Sequence, residues 1–179
     1  DAVARPWLCA AAPAASKVSL GSPPAAAPKP ATSVRDILGK LDSPRGICAI
    51  LGDPRAELAI ELAKASQLQA YAQLPDEKDV RAARCAADTA GLLNTRVYVE
   101  KGSDGRIHLA DNLADAVVVR GAARDRVAKK EVLRVLRPGG TAWLGTEILG
   151  KPEPRGIDTW SHPYHGPDNN PQSTDRLAR

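Results

Sequence analysis

Residues 131–146 read EVLRVLRPGGTAWLGT, and their pattern indicates the class of fold most clearly. Its first half spaces apolar residues as the buried stripe of a helix does, and the helix is predicted over 125–136. Pro138 cannot continue a helix because it lacks a backbone N–H, and two glycines then turn the chain. Residues 141–146 are predicted to be a strand. A helix that leads through a tight turn into a strand is the repeating unit of an α/β sheet.

The same alternation extends towards the amino terminus. Four further strands are predicted, at 46–51, 68–73, 96–100 and 114–119. The continuous apolar run GICAIL is typical of a strand that is covered on both faces, and ADAVVV contains three consecutive valines. Further helices are predicted at 33–41, where Ser33 and Asp36 have capping-box spacing, and at 56–66 and 75–90. Strands that alternate with helices predict parallel pairing through right-handed crossovers, and therefore a doubly wound, Rossmann-like α/β sheet.

The two ends of the chain have a different composition from the middle. Residues 10–32 are rich in Ala, Pro and Ser without periodicity, which is typical of a linker. After the fifth strand the chain runs into Gly150, Pro152 and Pro154, so no antiparallel hairpin is predicted there. We therefore expect a tail or linker over 1–32, a Rossmann-like domain over 33–149 and an extended tail over 150–179.

Two segments resemble one family. The segment 131–146, with its Leu-Arg-Pro-Gly-Gly turn, resembles the end of a class I S-adenosylmethionine-dependent methyltransferase domain. Upstream, Leu109–Val119 (LADNLADAVVV) looks like the entry to that family's fourth strand. The resemblance covers about 110 residues and implies five parallel strands in the order 3-2-1-4-5. It also implies a cofactor site at the carboxyl ends of strands one and two.

The loop after the first strand departs from the family pattern. The family reads acidic-x-Gly-x-Gly-x-Gly there, whereas this chain reads ILGDPRA over 50–56. The first glycine is kept as Gly52, the second is replaced by Pro54, which removes an N–H, and the third by Ala56. The acidic position is Ile50. The resemblance leaves Gly52 and Asp53 as vestigial cofactor-binding residues in this loop.

The second fingerprint is altered as well. After strand two the family places an acidic residue that accepts hydrogen bonds from the ribose, and here Gln73 and Leu74 stand in its place. Asp111 is a further polar candidate, although an Asp-Asn turn before a buried strand explains it equally well. We therefore predict a degenerate cofactor site with no catalytic residue.

The tail carries a second resemblance. Residues 157–175, IDTWSHPYHGPDNNPQSTD, resemble the lead-in to a pyrroloquinoline-quinone-type (PQQ-like) β-propeller, as found after degenerate methyltransferase-like domains in large bacterial proteins, many of them planctomycetal. Polar aromatic and amide side chains suit docking onto a partner, and the candidate docking residues are Trp160, Tyr164, Asn169 and Asn170. His162 and His165 have HxxH spacing but lack a third ligand, so no metal site is predicted.

Composition and charge narrow the classes of function. The net charge of +4 comes from interspersed charges rather than a basic face, which argues against a nucleic-acid partner. No apolar run of 18 or more residues predicts a membrane span. Cys9, Cys48 and Cys85 lack metal-type spacing and allow at most one disulfide. The Pro/Ala linker favours a periplasmic or secreted location.

Three hypotheses of function follow. The first is a non-catalytic methyltransferase-like accessory module that docks to a PQQ-like β-propeller, with no cofactor of its own. The second is an active S-adenosylmethionine-dependent methyltransferase with an atypical cofactor loop. The third is a structural small subunit of a larger redox or carbohydrate-active assembly. In the first, PQQ would belong only to the associated propeller.

Overall fold

The computed structural model describes residues 33–156 together with 172, 173 and 176. Within these residues, one sheet has the strand order β3-β2-β1-β4-β5-β6. The strands are β1 (Arg45–Leu51), β2 (Gln67–Leu74), β3 (Val97–Lys101), β4 (Ala114–Val119), β5 (Leu136–Leu144) and β6 (Glu147–Gly150). The helices are α1 (Val34–Leu38), α2 (Glu57–Ala65), α3 (Glu77–Thr89) and α4 (Lys129–Val135), and a 3-10 turn covers Gly121–Asp125.

The predicted Rossmann-like architecture is confirmed. Strands β1 to β5 pair in parallel in the expected order 3-2-1-4-5. The prediction that no antiparallel hairpin follows the fifth strand is wrong, because a short sixth strand, β6, pairs antiparallel with β5. It follows a two-residue turn, Gly145-Thr146, in which Gly145 has a φ of +65°. A Gly-X pair is a common two-residue hairpin turn, so the signal for β6 lies at the end of the predicted strand 141–146.

The sheet is covered on both faces, and residues of one strand alternate between two apolar cores. Cys48 and Ile50 of β1 pack with residues of α1, α2 and α3 on one face. Ala49 and Leu51 of the same strand pack with residues of α4 on the other face. This alternation explains why β1 reads as an uninterrupted apolar run.

The Pro-Gly-Gly segment was expected to form the turn between the last helix and the fifth strand, but it lies within that strand. The helix already ends at Val135, and residues 138–140 lie within β5. There Ala114 pairs with Leu136 and Ala116 with Thr141, so the segment forms an irregularity opposite β4. The amide N–H of Gly139 donates to the carbonyl of Lys151 at 2.9 Å, which joins the bulged segment to the chain after β6.

A charged residue fastens β1 to β4 at the amino edge of the sheet. The carboxylate of Asp115 accepts a hydrogen bond of 2.8 Å from the backbone N–H of Ile47 and another from Arg137. Gly46 makes room for it with a φ of +122°, because a Cβ at this position would overlap the Asp115 carboxylate. Gly46 is thus required by packing between two strands.

Candidate functional site

The ends of β1 and β4 approach each other closely at the carboxyl edge of the sheet. Gly52 has a φ of +77°, and a Cβ there would overlap the backbone carbonyl of Arg120. The N–H of Arg120 donates to the carbonyl of Leu51 at 2.9 Å. Packing within the chain therefore accounts for Gly52, the glycine that the sequence analysis placed in a cofactor loop.

Asp53, the next predicted site residue, is turned inwards and is only 3% exposed. One carboxylate oxygen accepts a hydrogen bond of 3.1 Å from the backbone N–H of Ala59, and the other lies 3.9 Å from Nη1 of Arg120. Burial raises the pKa of Asp53, and the amide of Ala59 and the charge of Arg120 oppose this shift. Unpaired N–H groups at a helix amino terminus attract anions, and here the chain's own carboxylate occupies the first turn of α2.

The two replaced glycine positions also make internal contacts. Ala56 is fully buried and keeps a left-handed backbone, with a φ of +52° that glycine adopts more easily. Its N–H donates to the carbonyl of Asp53 at 2.9 Å, which closes the turn around Pro54. Ile50, at the position of the family's acidic residue, lies fully buried in the core.

Gln73 lies at the end of β2, is 0% exposed and uses both N–H donors and the carbonyl oxygen of its side chain in hydrogen bonds within the chain. Its Nε2 donates to the carbonyls of Ser103 at 2.6 Å and Arg106 at 2.7 Å. Its Oε1 accepts a hydrogen bond of 2.8 Å from the N–H of His108. Gly102 completes this packing, since a Cβ there would lie 2.7 Å from Cδ of Gln73. Gln73 therefore anchors the connection between β3 and β4 to the end of β2.

Two arginines that follow β4, Arg124 and Arg126, contact neighbouring loops at the carboxyl edge of the sheet. Nη1 of Arg126 donates to Oδ2 of Asp104 at 3.0 Å, and Asp104 is 5% exposed. Its Oδ1 is buried without a partner. The guanidinium of Arg124 lies over Gly145, where a Cβ would overlap it. Asp53, Gln73 and Asp104 thus each link one carboxyl-edge loop to another.

Asp111 does not join the other predicted site residues. It precedes β4 and therefore lies at the amino edge, whereas Gly52, Asp53 and Gln73 lie at the carboxyl edge. Its carboxylate pairs with Arg134 of α4. Arg134 also donates to Glu131 at 2.7 Å and to the carbonyl of Ile107 at 2.9 Å. Asp111 therefore takes part in a polar cluster that fixes the β3–β4 connection against α4.

The predicted tail sites lie outside the described residues. This applies to the docking residues Trp160, Tyr164, Asn169 and Asn170 and to the histidines His162 and His165. Within the part of the chain that the structure describes, no group of three or more His, Cys, Asp or Glu side chains is arranged to hold a metal ion. The helices of that same part are all too short or too polar to cross a membrane.

Sequence reasoning missed most of the polar links. Asp53 lies three residues before Ala56, the N-cap of α2, and an acidic side chain near the positive end of a helix is a signal that could have indicated its contact with the first turn. Glu131 and Arg134 are spaced as an i,i+3 pair, which predicts their contact on α4. The link from Arg126 to Asp104 spans 22 residues. A local sequence pattern does not predict an ion pair between residues so far apart in the chain.

Comparison with solved structures identifies the fold. The chain is similar to a putative S-adenosyl-L-methionine-dependent methyltransferase of Methanococcus maripaludis, with 26% identity and a TM-score of 0.56 over 61% of this chain and 51% of that chain. It is also similar to a SAM-dependent methyltransferase of Aquifex aeolicus, with 20% identity and a TM-score of 0.52 over 61% of both chains. A putative sarcosine dimethylglycine methyltransferase of Galdieria sulphuraria matches with 18% identity, a TM-score of 0.53 and coverage of 61% of this chain and 43% of that chain.

The domain therefore has the methyltransferase-like fold. The chain spans between 43% and 61% of the length of these solved structures. No protein-family model matches it. No curated protein matches it either.

Proposed function

We propose that residues 33–149 form a non-catalytic methyltransferase-like module that docks to, or supports, a PQQ-like β-propeller, either fused to it or on a separate chain. The observation that carries this proposal is the state of Gln73. Its amide is fully buried and is bonded to Ser103, Arg106 and His108. Both donors of this side chain are engaged, and its carbonyl oxygen, which already accepts one bond, is buried and is not placed to accept hydrogen bonds from a ribose.

The other residues at this edge fit S-adenosylmethionine no better. Pro54 offers no N–H to a ligand. Asp76, the next carboxylate after β2, accepts a hydrogen bond of 2.8 Å from the N–H of Lys78 and caps α3. Losing a pair of charge-assisted hydrogen bonds to the ribose costs roughly 3 kcal/mol, or more than a hundredfold in affinity.

An active methyltransferase is the alternative, and the names of the similar structures favour it. Two of those proteins are named as S-adenosylmethionine-dependent methyltransferases, one of them putative. The location of the chain separates the two hypotheses, because S-adenosylmethionine is a cytoplasmic metabolite. We propose a periplasmic or secreted location, on the basis of the Pro/Ala-rich segment at 10–32, where a domain would not meet this cofactor.

We propose that the tail, residues 150–179, docks to the partner. Trp160, Tyr164, Asn169 and Asn170 would contact the propeller, and the PQQ would be bound there and not in this chain. The test is affinity purification of the full chain with identification of a propeller chain by mass spectrometry. We expect Trp160→Ala with Tyr164→Ala to lower its recovery at least tenfold, and the control Trp7→Ala to leave it unchanged. Equal recovery with all variants contradicts the docking role.

Cofactor binding is tested separately by calorimetry of the full chain with S-adenosylmethionine and with its demethylated product. The proposal predicts no binding at micromolar concentrations. A Kd in the micromolar range for either compound would contradict the non-catalytic hypothesis and support an active methyltransferase.

A further inference from the structure

The sheet face that carries α4 is only partly covered over β2 and β3. Tyr71 of β2 and Tyr98 of β3 stand opposite each other on this face, and both are partly exposed. In the part of the chain that the structure describes, no helix connects β3 to β4, and α4 packs on β5, towards the other end of the strand order. The two tyrosine rings are therefore accessible from solvent.

These two tyrosines border an apolar hollow of about 190 Å³, which Ile47, Gln69 and Leu109 complete. We call it the tyrosine hollow. A cavity of about 150 Å³ holds a benzene ring, so the tyrosine hollow has room for one ring-sized side chain. Aromatic rings pack favourably with a further ring in offset-stacked or edge-to-face arrangements. The lining of this hollow therefore favours an aromatic side chain.

A second hollow, of about 400 Å³, continues from the tyrosine hollow to the amino edge of the sheet, and Ile47 and Gln69 border both. Arg45 and Gln67 line this second hollow. Nε of Arg45 donates to Oε1 of Gln67 at 2.7 Å, whereas its two Nη groups make no hydrogen bond or ion pair with any described residue. The planar fork of a guanidinium binds a carboxylate through two parallel hydrogen bonds. Arg45 is therefore free to bind a carboxylate of a ligand.

Charges at this edge of the sheet support an acidic ligand. Two carboxylates there, Asp111 and Asp115, are each paired with an arginine of α4 or β5. Arg96, just before β3, donates only to backbone carbonyls at the start of β2. Within the described ranges, neither Arg45 nor Arg96 forms an ion pair with a carboxylate. A negative group on a partner complements these two positive charges.

We propose that this face binds an extended segment of a partner protein in which an aromatic side chain lies two residues from an Asp or Glu. The aromatic side chain fills the tyrosine hollow, and the carboxylate pairs with Arg45. Arg45 and Ile47 lie two residues apart on one face of β1, which corresponds to about 7 Å. Side chains at i and i+2 of an extended peptide have the same spacing, so one segment reaches both places.

The shape of the two hollows favours a protein segment over a small molecule. Both hollows are open on the solvent side, whereas small-molecule sites bury most of the surface of their ligand. The inference goes beyond the proposed function, because it assigns binding to the sheet itself and not to the tail.

The test is fluorescence anisotropy of a labelled, end-blocked peptide, Ser-Asp-Ser-Trp-Ser-Asp-Ser, titrated with the full chain. Its symmetry places an acid two residues from the Trp in either direction of the chain. We expect saturable binding with a Kd below about 1 mM. Replacement of both Asp by Asn, or of the Trp by Ala, should weaken binding at least about tenfold. Added salt should weaken binding of the acidic peptide and leave the weak binding of the Asn peptide unchanged.

Variants of the chain locate the site. Arg45→Gln should weaken binding of the acidic peptide at least about tenfold, while the control Arg81→Gln, an exposed arginine of α3, should leave it unchanged. Tyr98→Ala should weaken binding as much as loss of the Trp does, and Tyr98→Phe should retain it. Circular dichroism shows whether each variant is folded. Gln69→Glu places a negative charge between the hollows at an exposed position and tests the site without changing a tyrosine.

Three results would overturn the proposal: equal affinity for the acidic and the Asn peptides, binding that Arg45→Gln and Gln69→Glu both leave unchanged, or no saturable binding up to about 1 mM. Failure of this inference is distinguishable from failure of the proposed function, because the peptide titration uses neither S-adenosylmethionine nor a propeller chain.

Discussion

The side-chain carbonyl oxygen of Gln73 accepts a hydrogen bond of 2.8 Å from the backbone N–H of His108, 35 residues further along the chain. This bond joins the carboxyl end of β2 to the connection between β3 and β4. In a parallel α/β sheet, ligands bind in crevices at the carboxyl ends of the strands. At the end of β2 this chain places a buried side chain that is hydrogen-bonded within the chain, and the proposal of a module without its own cofactor depends on that arrangement.

Removal of the Gln73 amide should destabilise the domain. Gln73→Ala would leave the carbonyls of Ser103 and Arg106 and the N–H of His108 without their partner in a buried site. We expect the free energy of unfolding to fall by about 2–4 kcal/mol. Urea denaturation followed by circular dichroism measures the change. The control is Gln69→Ala, an exposed residue of the same strand, which should change stability by less than about 0.5 kcal/mol. Similar losses for both variants would contradict the anchoring role.

Substitution of Gly46 should be costly for two reasons. Gly46→Ala places a side chain at a φ of +122° and drives its Cβ into the carboxylate of Asp115. We expect a loss of at least about 2 kcal/mol in unfolding free energy. Gly105→Ala is the matched control, because a Cβ at position 105 meets nothing within 4 Å. The measurement is the melting temperature of the two variants in parallel thermal unfolding experiments. An unchanged melting temperature for Gly46→Ala would contradict the claim that Asp115 excludes a side chain at this position.

The raised pKa of Asp53 predicts a dependence of stability on pH. Because the folded state raises this pKa above its unfolded value, Asp53 favours folding most in its protonated form. That contribution is complete below the unfolded pKa of about 3.9 and is lost as pH rises through the higher folded pKa. Asp53→Asn keeps an acceptor for the amide of Ala59 without the charge.

We therefore expect Asp53→Asn to gain stability relative to the unmodified chain as pH rises from about 3.5 to 7. Urea midpoints of both proteins across this range provide the measurement. A difference in stability that stays constant with pH would show that the carboxylate has the same pKa in the folded and unfolded states.

Glu131 should show the opposite dependence. The hydrogen bond from Arg134 is the largest cause that lowers the pKa of Glu131, so its contribution is present above the unfolded pKa and is lost as pH falls. Glu131→Gln should cost about 1–2 kcal/mol near pH 7 and less as pH falls below about 4.5. Chemical denaturation at pH 7 and pH 3.5 tests this. Equal costs at the two pH values would contradict an ionised Glu131 as the partner of Arg134.

Much of the fold could be predicted from local patterns. The apolar run of β1 identifies a strand that is buried on both faces, and the bounds of β4, with its three consecutive valines, match the prediction at both ends. The capping box at Ser33 and Asp36 is present as predicted. These features depend on neighbours within a few residues, and such neighbours can be read directly from the sequence.

The candidate site was harder to predict because its contacts are long-range. The replacement of two loop glycines is visible in the sequence, but the partners of Asp53 and Gln73 are not. Leu74 gives a further example. It stands at the position where the family places an acidic residue, yet it is 2% exposed and packs in the core. An acidic substitution at Leu74 would therefore bury a charge and would not rebuild a ribose contact.

Titration calorimetry of the full chain with S-adenosylmethionine measures whether this domain binds a cofactor of its own. The unmodified chain and the variant Pro54→Gly with Ala56→Gly, which restores both loop glycines, should be titrated under the same conditions. We predict no heat of binding at micromolar ligand concentrations for either protein, because Gln73 keeps the β3–β4 connection at the carboxyl edge in both. Binding of the unmodified chain with a micromolar Kd would contradict the claim that this domain is a scaffold without its own cofactor.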